Sequence, residues 1–192
     1  FSLSQGKTDI SNVVAYVPEP MQPSSFNPVK KVEVSKSPTV IHPGIASIGS
    51  IPRYLFIAGL IEEQSLAIHV QGKGIVLVIG CGHPTIERII ERVKMITDEP
   101  IYGIIGGLHY PVAGGRINIG PFNLQYIVGS DAPPWSGLNK NDVLSAIQVI
   151  QSIKPTKVSL SPHDSSDWSV GQFKGAFSEN FRDLLVGNDI TL

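Results

Sequence analysis

The chain of 192 residues has the length of a single domain, and its 42% of apolar and 16% of charged residues allow a hydrophobic core and exclude disorder of the whole chain. A net charge of −1 offers no basic field for a nucleic acid or an anionic membrane surface, and the longest apolar run, residues 75–79, is far too short to span a bilayer. The single cysteine, Cys81, excludes an intrachain disulfide and favours a reducing, cytoplasmic location.

Residues 1–60 form the least regular part of the pattern, an irregular first segment rich in proline and glycine. A strand is predicted over residues 13–17, and a second, exposed strand is predicted from the alternation of valine with polar residues over 32–35. Residues 41–53, which glycine and proline punctuate, are predicted to be a loop. The chain starts at Phe1 without a methionine or a signal-peptide pattern, so we expect this start to be a cut through a larger protein or a product of processing.

Residues 61–192 show an alternation of strands and helices that carries the histidine loops described below. Two β-rich runs, residues 66–70 and 75–79, flank a short glycine-containing turn and predict a hairpin whose second strand is buried on both faces. Apolar residues then recur at helical spacing after Pro84, and a strand is predicted over residues 101–105.

A glycine-rich excursion over residues 106–137 separates this strand from a second helix, for which Asn139 is the predicted cap. A short strand is predicted at residues 158–160, and the apolar positions of a third helix continue as far as Leu184. Residues 190–192 are predicted to close the chain as an edge strand. Alternating strands and helices of this kind predict an α/β architecture, with the whole chain forming a single domain or a portion of one.

Three of the five histidines follow a predicted buried strand after a few small or turn-forming residues: His83, His109 and His163. Open α/β sheets place their sites in the loops beyond the carboxyl ends of strands. If these strands are neighbours, the imidazoles converge on one rim, and three neutral imidazoles are common ligands of zinc or iron. The alternative, that a histidine is only a polar loop residue, stays open because the spacing matches no short zinc motif. That alternative is preferred for His42, in a Pro/Gly loop, and for His69, on the outer face of a strand.

Two residues beside these histidines are additional candidates for the site. Cys81 precedes a predicted helix, whose dipole could lower the thiol pKa and make the thiol reactive or ligating; a buried thiol packed behind His83 is the preferred alternative. Asp164 could supply an oxygen ligand or help to cap the third helix, the role that is predicted for Asp167.

Other polar groups give weaker signals. Glu62 and Glu63 form an acidic pair that could perform acid–base work, but we interpret them as solvated charges. The segment Gly114-Gly115-Arg116 is only a weak indication of a phosphate-binding loop, because it follows no predicted strand and opens no evident helix.

Four segments occur in the order that is seen in one branch of the metallo-β-lactamase superfamily. They are Glu62-Glu63-Gln64-Ser65-Leu66, Val78-Ile79-Gly80-Cys81-Gly82-His83-Pro84, Ile105-Gly106-Gly107-Leu108-His109 and Ser161-Pro162-His163. They resemble that branch's signatures DEQ-x-L, GC-S-HPG-I, GG-F-HL and P-x-HCTG, and residues 38–53 are similar to its PGI…TGEIPR segment. The branch contains metal-dependent hydrolases named after dihydropterin ribofuranosylaminobenzene phosphate synthase. The resemblance covers about residues 13–192.

This resemblance implies an αββα sandwich with a metal centre at one edge. The histidines that match His83 and His163 are expected to bind the metal there, and the one that matches His109 lies at the same site. The implied cofactor is a divalent metal, zinc or alternatively iron or manganese. The implied reaction is attack by a metal-bound hydroxide on a small-molecule substrate of ester or phosphoester type, including a pterin-phosphate synthase-like reaction. No separate catalytic residue is implied.

The sequence departs from the family in its metal motifs. The HxHxDH motif is absent from the 192 residues, and Asp164 stands where the family's HCTG pattern has cysteine. The chain is therefore expected to be the later part of the sandwich, completed by an amino-terminal segment; association into a homo-oligomer is also open. One alternative is a degenerate, non-catalytic superfamily member that acts as a binding or structural module. Another is a doubly wound α/β domain whose loop histidines have no common role.

Overall fold

The computed structural model describes residues 9–23, 28–120 and 122–192. Its strands, in chain order, are β1 (Val14–Val17), β2 (Lys31–Val34), β3 (Thr39–His42), β4 (Ile45–Ser47), β5 (Ile51–Leu55), β6 (Gly59–Glu63), β7 (Leu66–Val70), β8 (Gly74–Ile79), β9 (Ile101–Gly106), β10 (Asn118–Ile119), β11 (Phe122–Asn123) and β12 (Lys157–Leu160). Its helices are α1 (Ile86–Ile96), α2 (Leu124–Val128), α3 (Lys140–Ser152) and α4 (Asp167–Phe177), with short 3-10 turns at Pro134–Ser136 and Ser178–Asn180.

The main sheet is mixed and has the strand order β12-β9-β8-β7-β4-β3. β8, β9 and β12 run parallel to one another, whereas β7, β4 and β3 continue the sheet in antiparallel fashion from β8. The predicted hairpin of β7 and β8 is confirmed. β8 is apolar along its length and buried at nearly every position, which is typical of a strand in the parallel part of a sheet.

Three helices pack with the parallel strands around the core. α1 contacts α3, α3 contacts α4, and α4 contacts β12. Ile86, Ile89, Ile90 and Val93 recur every three or four residues and are all buried, so that one face of α1 belongs to the core. The predicted cap of the second long helix is also confirmed, because Asn139 and Asp142 form a capping box at the start of α3.

Smaller sheets flank the main one. β5 and β6 form an antiparallel pair, and β1 and β2 form a parallel pair. The side chain of Gln64 joins the β1–β2 pair to the main sheet: it accepts hydrogen bonds from the hydroxyls of Ser35 (2.6 Å) and Ser47 (2.8 Å) and donates one to the carbonyl of Tyr16 (2.7 Å).

Several predicted elements are wrong in extent. Residues 41–53 are not a loop, since β4 and parts of β3 and β5 lie there. The third helix ends at Phe177, and the buried Phe181 beyond it bridges to β12. The chain at Phe181 thus occupies the sheet edge that residues 190–192 were predicted to extend, and those residues form no strand. None of the helices in the described ranges is both long enough and apolar enough to cross a membrane.

Candidate metal centre

The three histidines predicted to share a site follow the carboxyl ends of the adjacent strands β8, β9 and β12. The rings of His83 and His109 are 4.3 Å apart between their centroids. His163 lies beside the loop that carries His83, with its Nε2 atom 3.7 Å from Sγ of Cys81. The three strands are therefore neighbours in the sheet, as the interpretation of the sequence required.

Glu63, the last residue of β6, orients the imidazole of His83. Its Oε1 atom bonds Nδ1 of His83, while Oε2 accepts the backbone N–H groups of Gly82 (3.1 Å) and His83 (3.2 Å). A carboxylate in this position fixes the Nδ1–H tautomer and leaves the Nε2 lone pair of His83 free. The interpretation of Glu63 as a solvated charge is wrong, because the β5–β6 hairpin brings this residue to the loop after β8.

His109 is held deep in the site and has one unsatisfied ring nitrogen. It is only 5% exposed, and its Nε2 atom lies 2.8 Å from the carbonyl oxygen of Gln125, to which it donates. Its Nδ1 atom is buried with no hydrogen-bond partner among the residues that the structure describes. Burial lowers the pKa of His109 to about 4, and the adjacent His83 adds to this effect. The ring is therefore neutral. Its Nδ1 atom has a buried lone pair, which is stabilised only if a cation or a hydrogen-bond donor binds to it.

His163 is the exposed member of the set. Its Nδ1 atom lies 2.7 Å from the hydroxyl oxygen of Ser161, at the end of β12. Its other ring nitrogen, Nε2, lies 3.5 Å from Oδ2 of Asp164 and close to the thiol of Cys81. The side chain is 53% exposed, far more than the side chains of the other two histidines.

Asp164 is buried at the centre of the loops and is only 2% exposed. Its Oδ2 atom accepts the backbone N–H of His109 at 3.2 Å, and its Oδ1 atom accepts the hydroxyl of Ser165 at 3.3 Å. Burial raises the pKa of the Asp164 carboxyl to about 6, while the neighbouring His163 acts in the opposite direction. Asp164 therefore faces the site and does not cap a helix.

The cap of α4 is Ser166, whose hydroxyl accepts the backbone N–H of Ser169 at 3.2 Å. The prediction that Asp167 caps this helix is wrong. Asp167 is the first residue of α4, and its carboxylate pairs with the guanidinium of Arg116.

Cys81 lies between the two acidic groups of the site. Its side chain is half-buried, and burial raises the pKa of the thiol to about 11, with the negative charges of Glu63 and Asp164 acting in the same direction. The lowering of the thiol pKa that was expected from the helix is not found, and α1 begins at Ile86, beyond the turn that carries Cys81. Without a cation the thiol is thus protonated at neutral pH, whereas coordination to a metal would deprotonate it.

Two overlapping sets of side chains bring candidate metal ligands together, and each set contains one histidine. In each set the candidate ligand atoms all lie within 4.8 Å of one another, and among the described residues the sets are Glu63, Cys81, His83 and Cys81, His163, Asp164. His109 belongs to neither set, but its buried Nδ1 atom lacks the partner that a ligand would supply. The nitrogen, sulfur and oxygen donors present are those that proteins use for zinc. His42 and His69 lie elsewhere, exposed on β3 and β7.

The residue that follows β9 is Gly107, and the atoms around it leave no room for a side chain. A Cβ atom there would lie 2.2 Å from the carbonyl oxygen of Gly80, 2.4 Å from Oδ2 of Asp164 and 2.8 Å from Cε1 of His163. The loops after β8, β9 and β12 therefore meet directly at Gly107, and only glycine lets them approach this closely.

A cavity of about 300 Å³ opens beside the His83 and His109 loops, between the start of α1, the start of α3 and the end of β5. Its wall includes Arg53, whose guanidinium donates to the carbonyl oxygen of His83 and to the carboxylate of Asp131 at 3.0 Å. Arg53 thus connects the β5–β6 hairpin, which carries Glu63, to the His83 loop that this glutamate orients.

The segment Gly114-Gly115-Arg116 does not form a phosphate-binding loop at a helix start. The Arg116 side chain donates to the carbonyl oxygen of Pro162 at 2.9 Å and pairs with Asp167, so it holds the loop after β12. A second, largely apolar cavity of about 600 Å³ lies on this side, between Arg116, His163 and the chain segment 184–186.

The comparisons with known proteins bear on the fold. The chain is similar to Tm1679, described as a metal-dependent hydrolase of the β-lactamase superfamily, with a TM-score of 0.59 and 16% sequence identity. The similarity covers 84% of this chain and 59% of Tm1679, so the chain spans less than two thirds of that protein. No family model matches the sequence, and no curated protein matches it either. The predicted fold class is confirmed: the chain has a mixed α/β fold of the metallo-β-lactamase type.

Proposed function

We propose that this chain contributes to the metal centre of a metal-dependent hydrolase. The observation that supports the proposal is the hydrogen bonding of the imidazoles of His83, His109 and His163. Each has one ring nitrogen engaged by a protein oxygen, from Glu63, Gln125 and Ser161 respectively. Among the described residues the other nitrogen of His83 and of His109 has no hydrogen-bond partner, and that of His163 faces the Cys81 thiol and the Asp164 carboxylate, which are themselves candidate ligands. This division of the two nitrogens is what metal-ligating histidines show in proteins.

The ligands we propose are Nε2 of His83, Nδ1 of His109 and Nε2 of His163. Cys81 and Asp164 are proposed as further ligands, because the thiol sulfur and a carboxylate oxygen lie within 4.8 Å of the His163 ring nitrogen. A set of imidazole, thiolate and carboxylate donors suits zinc better than manganese, which prefers oxygen ligands. Zinc is therefore our first choice of metal.

A divalent cation in this position would act as a Lewis acid and would lower the pKa of water. The chain's own residues supply the framework for that chemistry. Glu63 fixes the His83 ring, Asp164 holds the backbone N–H of His109, and Arg53 ties the His83 loop to the neighbouring cavity. A cavity of about 300 Å³ has the size of a small-molecule site, and we propose that an ester or phosphoester substrate occupies it.

We further propose that additional ligands come from a segment outside these 192 residues. The similarity to Tm1679 extends over only 59% of that protein, and an HxHxDH motif is absent from the sequence. In this proposal the chain is the later part of the sandwich, and the complete centre forms in the larger protein.

Elemental analysis of the full-length protein tests the proposal. We expect stoichiometric zinc in the purified protein and its loss in the combined variant of His83→Ala, His109→Ala and His163→Ala. His69→Ala is the control, because His69 is exposed on β7, where it pairs with Ile75 at the opposite end of β8. Full metal content in the triple variant would overturn the proposed site, and a wild-type protein without metal would favour a non-catalytic superfamily member.

A further inference from the structure

The short helix α2 lies within the glycine-rich excursion of residues 106–137. It begins after Asn123, whose side chain accepts the backbone N–H of Tyr126 at 3.1 Å, and it ends at Gly129. Gln125 in its first turn is only 7% exposed, although it is a polar residue in a helix of five residues. A buried glutamine needs partners for its amide, and the identity of those partners indicates its role.

Every polar group of the Gln125 side chain is used on a loop of the candidate site. Its Nε2 atom donates to the carbonyl oxygen of His163 at 2.7 Å, and its Oε1 atom accepts the backbone N–H of Arg116 at 2.6 Å. Its backbone carbonyl accepts from Nε2 of His109 at 2.8 Å. One residue thereby joins the loop after β9 to the loop after β12.

Gly129, which follows α2, packs against the same Nε2 edge of the imidazole that the Gln125 carbonyl binds. A Cβ atom on Gly129 would lie 1.9 Å from Nε2 and 2.1 Å from Cδ2 of His109. Its φ of −92° is open to any residue, so the requirement for glycine comes from the ring and not from the backbone. The Nε2 edge of the His109 ring is therefore held by the carbonyl of Gln125 and lies directly against the bare α-carbon of Gly129.

We propose that Gln125 and Gly129 are positioning residues of the metal centre, which turn Nδ1 of His109 towards the site and hold the His163 loop at a fixed distance from it. The inference rests on the proposed function for its metal and goes beyond it, since it assigns the placement of two ligands to α2. Neither residue touches the metal itself in this account.

Gln125→Glu tests the first assignment by replacing the donor to the His163 carbonyl with a second oxygen. We expect the affinity of the full-length protein for Co²⁺, a spectroscopic substitute for zinc, to fall by about 10- to 100-fold, as for other partners of metal ligands. We also expect the visible ligand-field spectrum to change. Gln151→Glu is the matched control, because that glutamine is exposed on α3 and its amide makes a long contact, at 3.4 Å, with the carbonyl of Ala176, away from the candidate site.

A second variant, Gln125→Met, shows whether the loss of Co²⁺ affinity in Gln125→Glu comes only from the new buried charge. It removes the same donor without adding one, so we expect it to weaken Co²⁺ binding in the same direction while the circular dichroism of the metal-free protein stays unchanged. Wild-type affinity and spectrum in both Gln125 variants would overturn the role of Gln125.

Gly129→Ala tests the second assignment in the metal-free protein. Nitrogen NMR of the imidazole rings should show the Nε2–H tautomer of His109 in the wild type and a shifted His109 resonance in the variant. Gly171→Ala is the control, since a Cβ atom at Gly171 in α4 meets nothing within 4 Å. An unchanged His109 resonance in Gly129→Ala would overturn the role of Gly129.

Co²⁺ binding and nitrogen NMR of the metal-free protein also distinguish a failure of this inference from a failure of the proposed function. A wild-type protein that binds no Co²⁺ would overturn the proposed metal centre. The NMR comparison of the metal-free proteins would still decide whether α2 positions the ring of His109.

Discussion

The candidate metal centre has two sides that are built differently. On the inner side, the His83 side chain is 16% exposed and His109 is 5% exposed, and both rings are held by buried or half-buried partners. On the outer side, the His163 side chain is 53% exposed, and its ring is held by the hydroxyl of Ser161. The same residue type thus occurs in a buried and in an exposed setting within one site.

The difference in exposure between the two sides indicates which part of the site is formed before any ligand binds. Burial and the Glu63 carboxylate fix the tautomer and orientation of the inner rings at the cost of desolvating them. The outer ring is not desolvated in this way, and water can replace its hydroxyl partner. We therefore expect the inner side to determine metal affinity and the outer side to tolerate change.

The largest effect is expected where the two sides meet, at Gly107. In Gly107→Ala the new methyl group would overlap the Gly80 carbonyl and the Asp164 carboxylate, at 2.2 and 2.4 Å. We predict a loss of about 1–3 kcal/mol in the free energy of unfolding, measured by urea denaturation, together with a loss of metal binding. Gly80→Ala is the control in the same region, because a Cβ atom there meets nothing within 4 Å. Equal stability of the two variants would show that the loops are not packed as described.

The next effect is expected on the inner side, at Glu63. Glu63→Gln leaves one acceptor oxygen for the three donors that the carboxylate now receives from Gly82 and His83. We predict a decrease of about 10- to 100-fold in zinc affinity, measured by competition with a chelator. Glu62→Gln should bind zinc like the wild type, since Glu62 contacts Ser50 and Lys36 instead. A weaker effect at Glu63 than at Glu62 would contradict the inner-side assignment.

The smallest effect is expected on the outer side, at Ser161. Ser161→Ala removes the hydroxyl that lies 2.7 Å from Nδ1 of His163, and water can take its place because the ring is exposed. We predict a decrease in zinc affinity of less than about 10-fold by the same assay. A loss as large as that of Glu63→Gln would remove the distinction between the two sides.

Local patterns in the sequence predicted the histidine rim but not the groups that support it. His83, His109 and His163 each end a strand signal, and the rule that parallel strands share one carboxyl edge brings them together. Glu63 was interpreted as a solvated charge because its partner His83 lies 20 residues later, in the loop that follows β8. No local pattern shows such a contact, although the acidic residue belongs to one of the family-like segments.

The first segment and the glycine-rich excursion were less predictable for a related reason. The strands near residues 41–53 are only three to five residues long, and glycine turns such as Gly44 and Gly49, both with positive φ, separate them. Runs this short show too little alternation to be recognised. Gln125 lies in the excursion, where only the folded chain shows that its amide reaches the His163 loop.

The central claim is that one specific nitrogen on each of three imidazoles binds the metal. Nitrogen NMR of the imidazole rings in the full-length protein, recorded during addition of Zn²⁺, tests it most directly. We predict that Nε2 of His83, Nδ1 of His109 and Nε2 of His163 shift together up to one equivalent of zinc. The rings of His42 and His69 should stay unchanged. Shifts confined to His42 and His69, or no shift at the three rim nitrogens, would contradict the account.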